Sequence, residues 1–216
     1  MAGRFAEKSV LIAGGTGALG RAIALAFLEE SAYVIVTYRR QEEFEGAVRR
    51  LTEQLLASHG RIDVLVNAVG GYAGGQPLWE TDSKTFDQMF ALNLRSGYVL
   101  CRAIVPVMLK QRSGAILNVS SRMAFDHAAG AAAYAASKAA AVAMIDSLAA
   151  DLKGTGIRVN SVLPSIIDTD ANRKAMPKAD FTKWPKPEEI ARVILFLCSE
   201  EARLIHGAAV PVYGTV

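Results

Sequence analysis

Val10-Leu11-Ile12-Ala13-Gly14-Gly15-Thr16-Gly17-Ala18-Leu19-Gly20, running on into Arg21-Ala22-Ile23-Ala24-Leu25-Ala26-Phe27-Leu28, decides the fold. The apolar run reads as a buried strand, the glycines as a tight turn, and the alanine- and leucine-rich run as a helix. Such a turn lets the backbone come close to a pyrophosphate, whose negative charge the N–H groups and dipole at the helix start favour. Alone it is a weak signal, because glycine turns also serve only to pack a helix on a strand.

Working outward, apolar runs predict strands at 8–13, 33–38, 62–66, 114–119, 156–162 and 208–212. Helical patterns lie near 18–30, 42–58, 81–110, 133–152 and 187–198. This alternation predicts an α/β fold, a doubly wound parallel sheet with helices on both faces in three αβα layers. Right-handed crossovers and a reversal of strand order after the first strand then open a crevice for a dinucleotide. The 216 residues are one domain long, and 51% hydrophobic content is enough for a substantial core.

The net charge of +3 comes from 24 basic and 21 acidic residues spread along the chain. With no basic block or interleaved aromatics, a nucleic-acid partner is not expected. Cys101 and Cys198 sit in apolar helical surroundings without metal or disulfide spacing, and are read as buried thiols of a reducing cytoplasm. No signal-like amino terminus or membrane-length apolar segment is read, so a cytoplasmic protein with no membrane partner is expected. His59, His127 and His206 are isolated from one another and from carboxylate clusters, and no metal site is expected.

The chemistry-bearing stretch is Tyr134-Ala135-Ala136-Ser137-Lys138, a phenol and an ammonium four residues apart on one helix face. A tyrosine titrates near ~10, so it passes protons at neutral pH only when a nearby cation favours its phenolate, and Lys138 is placed to be that cation. Upstream, Gly114-Ala115-Ile116-Leu117-Asn118-Val119-Ser120-Ser121 reads as a buried strand ending in two hydroxyls, at the strand end where ligands gather in open parallel sheets.

Together these features resemble the short-chain dehydrogenase/reductase family, a Rossmann-type fold, over nearly the whole chain. The family's Thr-Gly-x-x-x-Gly-x-Gly motif is matched by Ala13-Gly14-Gly15-Thr16-Gly17-Ala18-Leu19-Gly20, with alanines for the threonine and the middle glycine. Its Asn-Asn-Ala-Gly segment is matched at its ends by Asn67-Ala68-Val69-Gly70. The resemblance implies a catalytic set of Asn93, Ser121, Tyr134 and Lys138, with Ser120 the nearest alternative to Ser121. It implies cofactor contacts from Gly14, Thr16, Gly17, Ala18, Leu19, Gly20, Asn67, Ala68, Val69, Gly70, Tyr134 and Lys138. Val159-Asn160-Ser161-Val162-Leu163-Pro164-Ser165-Ile166-Ile167-Asp168-Thr169 resembles the loop that holds the nicotinamide carboxamide, which adds Pro164, Ile167 and Thr169. Ser165 stands where glycine is usual, which leaves the local backbone conformation open.

The implied reaction is hydride transfer between NAD(P)(H) and a carbonyl or alcohol substrate. In it Tyr134 moves the proton, Lys138 lowers the tyrosine pKa and binds ribose, Ser121 holds the substrate oxygen and Asn93 anchors a water. Thr37-Tyr38-Arg39-Arg40 carries no acid for a ribose 2′-hydroxyl, and Arg39 is placed to meet a 2′-phosphate, so NADP is favoured modestly over NAD; the alternative is that both arginines merely solvate a loop. Val69–Gly75 and Asp168–Phe181 resemble loops of quinonoid dihydropteridine reductases, whose branch lacks this serine and asparagine, so a pterin-like substrate is the second reading. A catalytically silent dinucleotide-binding regulator on the same fold is the third. The apolar helices near 95–110 and 133–152 predict a homodimer or homotetramer. Between Tyr38 and Ile62 the chain is too short for the family's helix, edge strand and second helix, so a helix–strand unit is missing near residues 42–47, where omission from the sequence is favoured over a true deletion. An intact mass agreeing with 23.1 kDa would instead show the short segment to be genuine.

Overall fold

The computed structural model describes residues 3–37 and 44–215. Among them, six parallel strands form one sheet in the order β2-β1-β3-β4-β5-β6. These are β1 (Ser9–Ala13), β2 (Tyr33–Thr37), β3 (Val64–Asn67), β4 (Gly114–Val119), β5 (Ile157–Pro164) and β6 (Ala209–Val212). All six coincide with predicted strands to within two residues.

The inner strands are apolar on both sides because both faces are covered. Their alternation sorts them into two cores. Val10, Ile12, Val64, Val66, Leu117 and Val162 face helices α1 (Ala18–Glu29) and α7 (Pro187–Cys198), where Ile23, Phe27, Ile190 and Ile194 complete one core. Leu11, Ala13, Leu65, Ile116 and Val159 face α2 (Phe44–His59), α4 (Ser96–Gln111) and α5 (Ala132–Asp151), through Val48, Leu55, Ile104, Met108 and Ile145. Helix α5 is also tied to β5 by His206, whose Nδ1 accepts from the Val159 N–H at 3.2 Å while Nε2 lies 2.7 Å from the Ala149 carbonyl.

Three readings are corrected. The helix predicted at 81–110 is α3 (Ser83–Phe90) and α4 joined by a π-helical turn at Ala91–Arg95. That run, Ser83–Gln111, does reach the length and mean hydropathy of a membrane span, contrary to expectation, but Val99, Leu100, Ile104 and Met108 spend its apolar face on the sheet. A short helix, α6 (Asp170–Ala175), was not foreseen, since six mostly polar residues carry no apolar period. Arg39 and residues 42 and 43 lie outside the described residues; from Phe44 the chain is one continuous helix to His59.

Because β1 bonds to β2 on one side and to β3 on the other, the strand order reverses at β1. The crevice at the carboxyl ends of β1 and β3 is therefore where a dinucleotide is accommodated.

Candidate active site

Gly14 leaves β1 with φ of +82°, a conformation that favours glycine, and a Cβ there would lie 2.8 Å from the Ala68 carbonyl oxygen. The turn is thus pressed against the segment after β3, whose Ala68 N–H donates to the Ala13 carbonyl at 2.9 Å. A Cβ on Gly20 would lie 2.2 Å from the Gly14 oxygen, so the helix enters as close to the turn as backbone allows. Gly17 caps α1 without any side-chain hydrogen bond, and no acid stands in the first turn. Thr16, Gly17 and Ala18 are exposed there, and among the described residues no side chain caps the first N–H groups of α1. This cradle fits a pyrophosphate.

Across the crevice, β4 ends in Ser120 and Ser121, and the two diverge. Ser120 Oγ donates to the Lys138 carbonyl at 3.1 Å and so serves only to pin α5. Ser121 accepts from the Met123 N–H at 3.2 Å, and its hydroxyl is near enough to the Tyr134 phenol to act on its titration. Tyr134 and Lys138 lie one turn apart on α5, as their spacing required. Lys138 is buried, and its Nζ donates to the Val119 carbonyl at 3.1 Å. An ammonium has three donors, and no further acceptor for them is found among the described residues. A Cβ on Gly70 would lie 3.0 Å from that Nζ, so the lysine points at the exposed Gly70 and the mouth of the crevice. These free donors beside the glycine cradle suit the ribose end of a nicotinamide nucleotide.

Asn93 is brought to the same place by the π turn, a distortion that recurs at functional sites. Its side chain is a clamp: Oδ1 accepts from the Gly71 N–H at 3.0 Å, and Nδ2 donates to the Gly71 carbonyl at 3.1 Å and to Ser137 Oγ at 3.0 Å. Both amide hydrogens are engaged, which leaves the second lone pair of Oδ1 as this amide's remaining place for a water. Asn67 is a strut of the same kind, donating to Asn118 Oδ1 at 2.9 Å.

The electrostatics correct one expectation. Burial holds the Tyr134 phenol above its ordinary pKa, the Ser121 hydrogen bond opposes this, and Lys138 is not among the groups acting on it. Burial also pushes the Lys138 ammonium down to about 8. Sequence spacing places the pair, but whether a cation lowers a phenol's pKa depends on how much water both have lost. The Cys101 and Cys198 thiols, buried as expected, are pushed up to about 12.

Pro164 ends β5, and Ser165 follows without a left-handed φ, its Oγ donating to the Tyr213 carbonyl at 2.7 Å. The serine therefore replaces glycine at no conformational cost. Thr169 caps α6 by accepting from the Asn172 N–H at 3.2 Å, and the Ile167 carbonyl accepts from Asn172 Nδ2 at 2.8 Å. Among the described residues no acceptor is found for the Ile167 N–H or for the Thr169 hydroxyl proton. On α6, Arg173 chelates Asp168 at 2.5 and 2.8 Å and lies over Phe181, which packs on the buried Trp184.

One site residue escaped the sequence reading. The Tyr72 ring meets the Tyr134 ring edge to face, with centroids 5.0 Å apart and planes at 72°. An aromatic between glycine pairs, Gly70-Gly71 and Gly74-Gly75, was the available signal.

The family described as Enoyl-(Acyl carrier protein) reductase matches residues 43–214. The chain is similar to the 3-oxoacyl-(acyl-carrier-protein) reductase of Thermotoga maritima, with 32% identity over 98% of each chain. It is equally similar to cyclopentanol dehydrogenase of Comamonas sp., at 32% identity over 98% of each. Among solved structures, ElxO with NADP bound superposes with a TM-score of 0.88 at 26% identity, covering 96% of this chain and 97% of that one. The crystal structure of gox2181 does so with a TM-score of 0.91 at 26% identity, covering 98% and 96%. The Thermotoga alignment runs over 242 positions while this chain has 216 residues, so at least 26 of those positions have no counterpart here.

Proposed function

Because this chain belongs to the short-chain dehydrogenase/reductase family and is an NAD(P)-dependent oxidoreductase, we propose that it reduces a small carbonyl compound, or oxidises the matching alcohol, with Tyr134 as the proton-transferring group. The observation that carries the assignment is the pairing of Ser121 with the Tyr134 phenol, on whose titration it acts, at the carboxyl end of the sheet and beside an amine with donors to spare. When bound, the nicotinamide nucleotide supplies or accepts the hydride.

The protein's own groups do the rest. Ser121 and Tyr134 hold the substrate oxygen between two hydroxyls, which fixes the carbonyl and polarises it. Held above its ordinary pKa, Tyr134 is fully protonated at neutral pH, the form that a general acid needs for reduction. Lys138 turns its remaining donors to ribose hydroxyls. The Gly14–Gly20 turn and the start of α1 hold the pyrophosphate, residues 67–70 line the adenine side, and Pro164, Ile167 N–H and Thr169 hold the carboxamide. Asn93 positions the loop through Gly71.

For the cofactor we infer NADP(H) ahead of NAD(H). The reading is supported by the absence of an acid in Thr37-Tyr38-Arg39-Arg40 and by the similarity to a protein solved with NADP. Arg39→Ala then removes the preference, measured as the ratio of the two cofactor affinities; an unchanged ratio defeats the assignment. A homodimer or homotetramer is supported by an apolar groove where Phe90, Leu94 and Tyr98 face Ala140 and Met144, and light scattering of the purified protein tests it.

The decisive assay follows consumption of NADPH and NADH with cyclic and linear ketones, 3-oxoacyl thioesters and a quinonoid dihydropterin. Turnover of a ketone or thioester supports the main reading, and turnover of the dihydropterin alone moves the substrate to the pterin class. Tight cofactor binding without turnover of any of them overturns both and leaves a silent dinucleotide-binding regulator.

A further inference from the structure

Tyr72 combines two properties that rarely coincide without function: it touches the reacting phenol, and its side chain is 60% exposed. Leaving a large ring in water forfeits its burial energy, and glycine-rich loops seldom hold such a ring still. Here the loop is held at both ends. Gly71 gives its N–H and its carbonyl to Asn93, at 3.0 and 3.1 Å. Gly75, at φ of +105°, donates its N–H to the Gly130 carbonyl at 2.8 Å, just before the helix that carries Tyr134. Between these anchors the loop folds back on the ring, since a Cβ on Gly74 would lie 2.5 Å from the Tyr72 hydroxyl oxygen. One of the two anchors is thus the start of the helix that carries the catalytic phenol, and Tyr72 remains exposed while its ring meets that phenol edge to face.

We propose that Tyr72 is a specificity-determining residue: its ring is a fixed aromatic wall that favours a carbonyl borne on a flat unsaturated ring over one on a flexible aliphatic chain. The proposal rests on the oxidoreductase reading above and names the substrate class for that site. A flat ring gains stacking on the wall beyond the area it buries, and it has no rotamer freedom to lose, whereas an aliphatic chain of equal size gains area only and must be ordered. A second consequence separates this role from simple shielding. If Tyr72 merely kept water from Tyr134, its loss would alter every substrate alike.

The test compares kcat/KM for acetophenone and octan-2-one, which have equal carbon numbers, in the full chain and in Tyr72→Phe, Tyr72→Leu and Tyr72→Ala. The unaltered protein is expected to prefer acetophenone, and Tyr72→Phe to keep that preference. Tyr72→Leu and Tyr72→Ala should each lower kcat/KM for acetophenone about 10-fold, mainly through KM, while octan-2-one changes less than about 2-fold. Equal losses for both ketones, or an unchanged ratio, overturn the proposal. Calorimetric titration of acetophenone into protein saturated with oxidised cofactor gives a readout without turnover, in which Tyr72→Ala weakens binding and Tyr72→Phe does not. Failure of the native protein to reduce either ketone would count against the oxidoreductase reading, and the titration would still decide the aromatic wall.

Discussion

The carboxyl end of β4 with the first turns of α5 differs from the sheet edge at β2 in how much holds each residue. In the first region Ser120, Ser121, Ser137, Lys138 and Asn93 are all buried and each has at least one hydrogen-bonding partner. In the second, Tyr33 and Val36 are half exposed, and Tyr33 leans on His59 with ring centroids 5.2 Å apart. On the proposed placement of the cofactor, the nicotinamide side of the crevice is thus set by a cross-linked polar network, while the adenine side borders a strand with only one neighbour among the described residues. The contrast teaches that chemistry and affinity are carried by different parts of this fold: geometry for proton transfer needs over-determined side chains, whereas a dinucleotide tail tolerates a looser wall.

Four measurements put that contrast at risk, in descending order of expected size. Tyr134→Phe removes the transferable proton and should lower kcat by ~10²–10⁴-fold while cofactor affinity stays nearly unchanged; full activity would show that the network serves something else. Asn93→Ala orphans both backbone groups of Gly71 and leaves the Ser137 hydroxyl only its bond to the Tyr134 carbonyl. Since each unmet polar group costs roughly 1–3 kcal/mol, with the partly buried loop at the low end, a loss of about 3 kcal/mol is expected in urea unfolding, together with reduced turnover.

The third concerns Lys138, whose pKa is depressed to about 8 in the fold against an ordinary 10.5. Below pH 8 both folded and unfolded chains carry the proton, and the fold bears the full cost of the buried ammonium. From about 8 upward the folded chain releases it first, so this group makes stability rise with pH until the unfolded lysine also titrates. Between pH 7.5 and 10 the stability of the unaltered protein should therefore climb by about 2 kcal/mol relative to Lys138→Met, a comparison in which the other titrating groups cancel. A flat difference would mean that the amine is already solvated. Smallest of all, Tyr33→Thr at the β2 edge should change stability by no more than about 0.5 kcal/mol in the same unfolding assay. A cost above about 2 kcal/mol would make the edge as constrained as the catalytic side and dissolve the contrast.

The two regions were also unequally legible. Strands such as Leu11-Ile12-Ala13 and Ile116-Leu117 announced themselves because burial on both faces leaves no polar position to interrupt them. Tyr134 and Lys138 were legible because helical spacing alone fixes their common face. Asn93 was picked out, yet its partner Gly71 was not, since a bond across 22 residues leaves no local pattern. Tyr72 was hidden for the same reason. The direction of the Tyr134 shift was beyond reach as well, because it turns on desolvation, which is a property of the packed molecule. Ser165 misled in the opposite sense: a substitution that threatens a loop on paper is accommodated by one hydrogen bond to Tyr213.

The Asn93 clamp has a consequence for how this architecture tolerates change. By meeting both main-chain groups of Gly71, a single amide imitates one rung of a strand pairing and fastens the two ends of a long excursion together. Whatever happens between those ends is mechanically insulated from the reacting hydroxyls. Residues 76–80, which stop short of the Asp82 cap of α3, can then be lengthened, shortened or exchanged for a foreign peptide as an interchangeable cassette, with the proton-handling groups left in register.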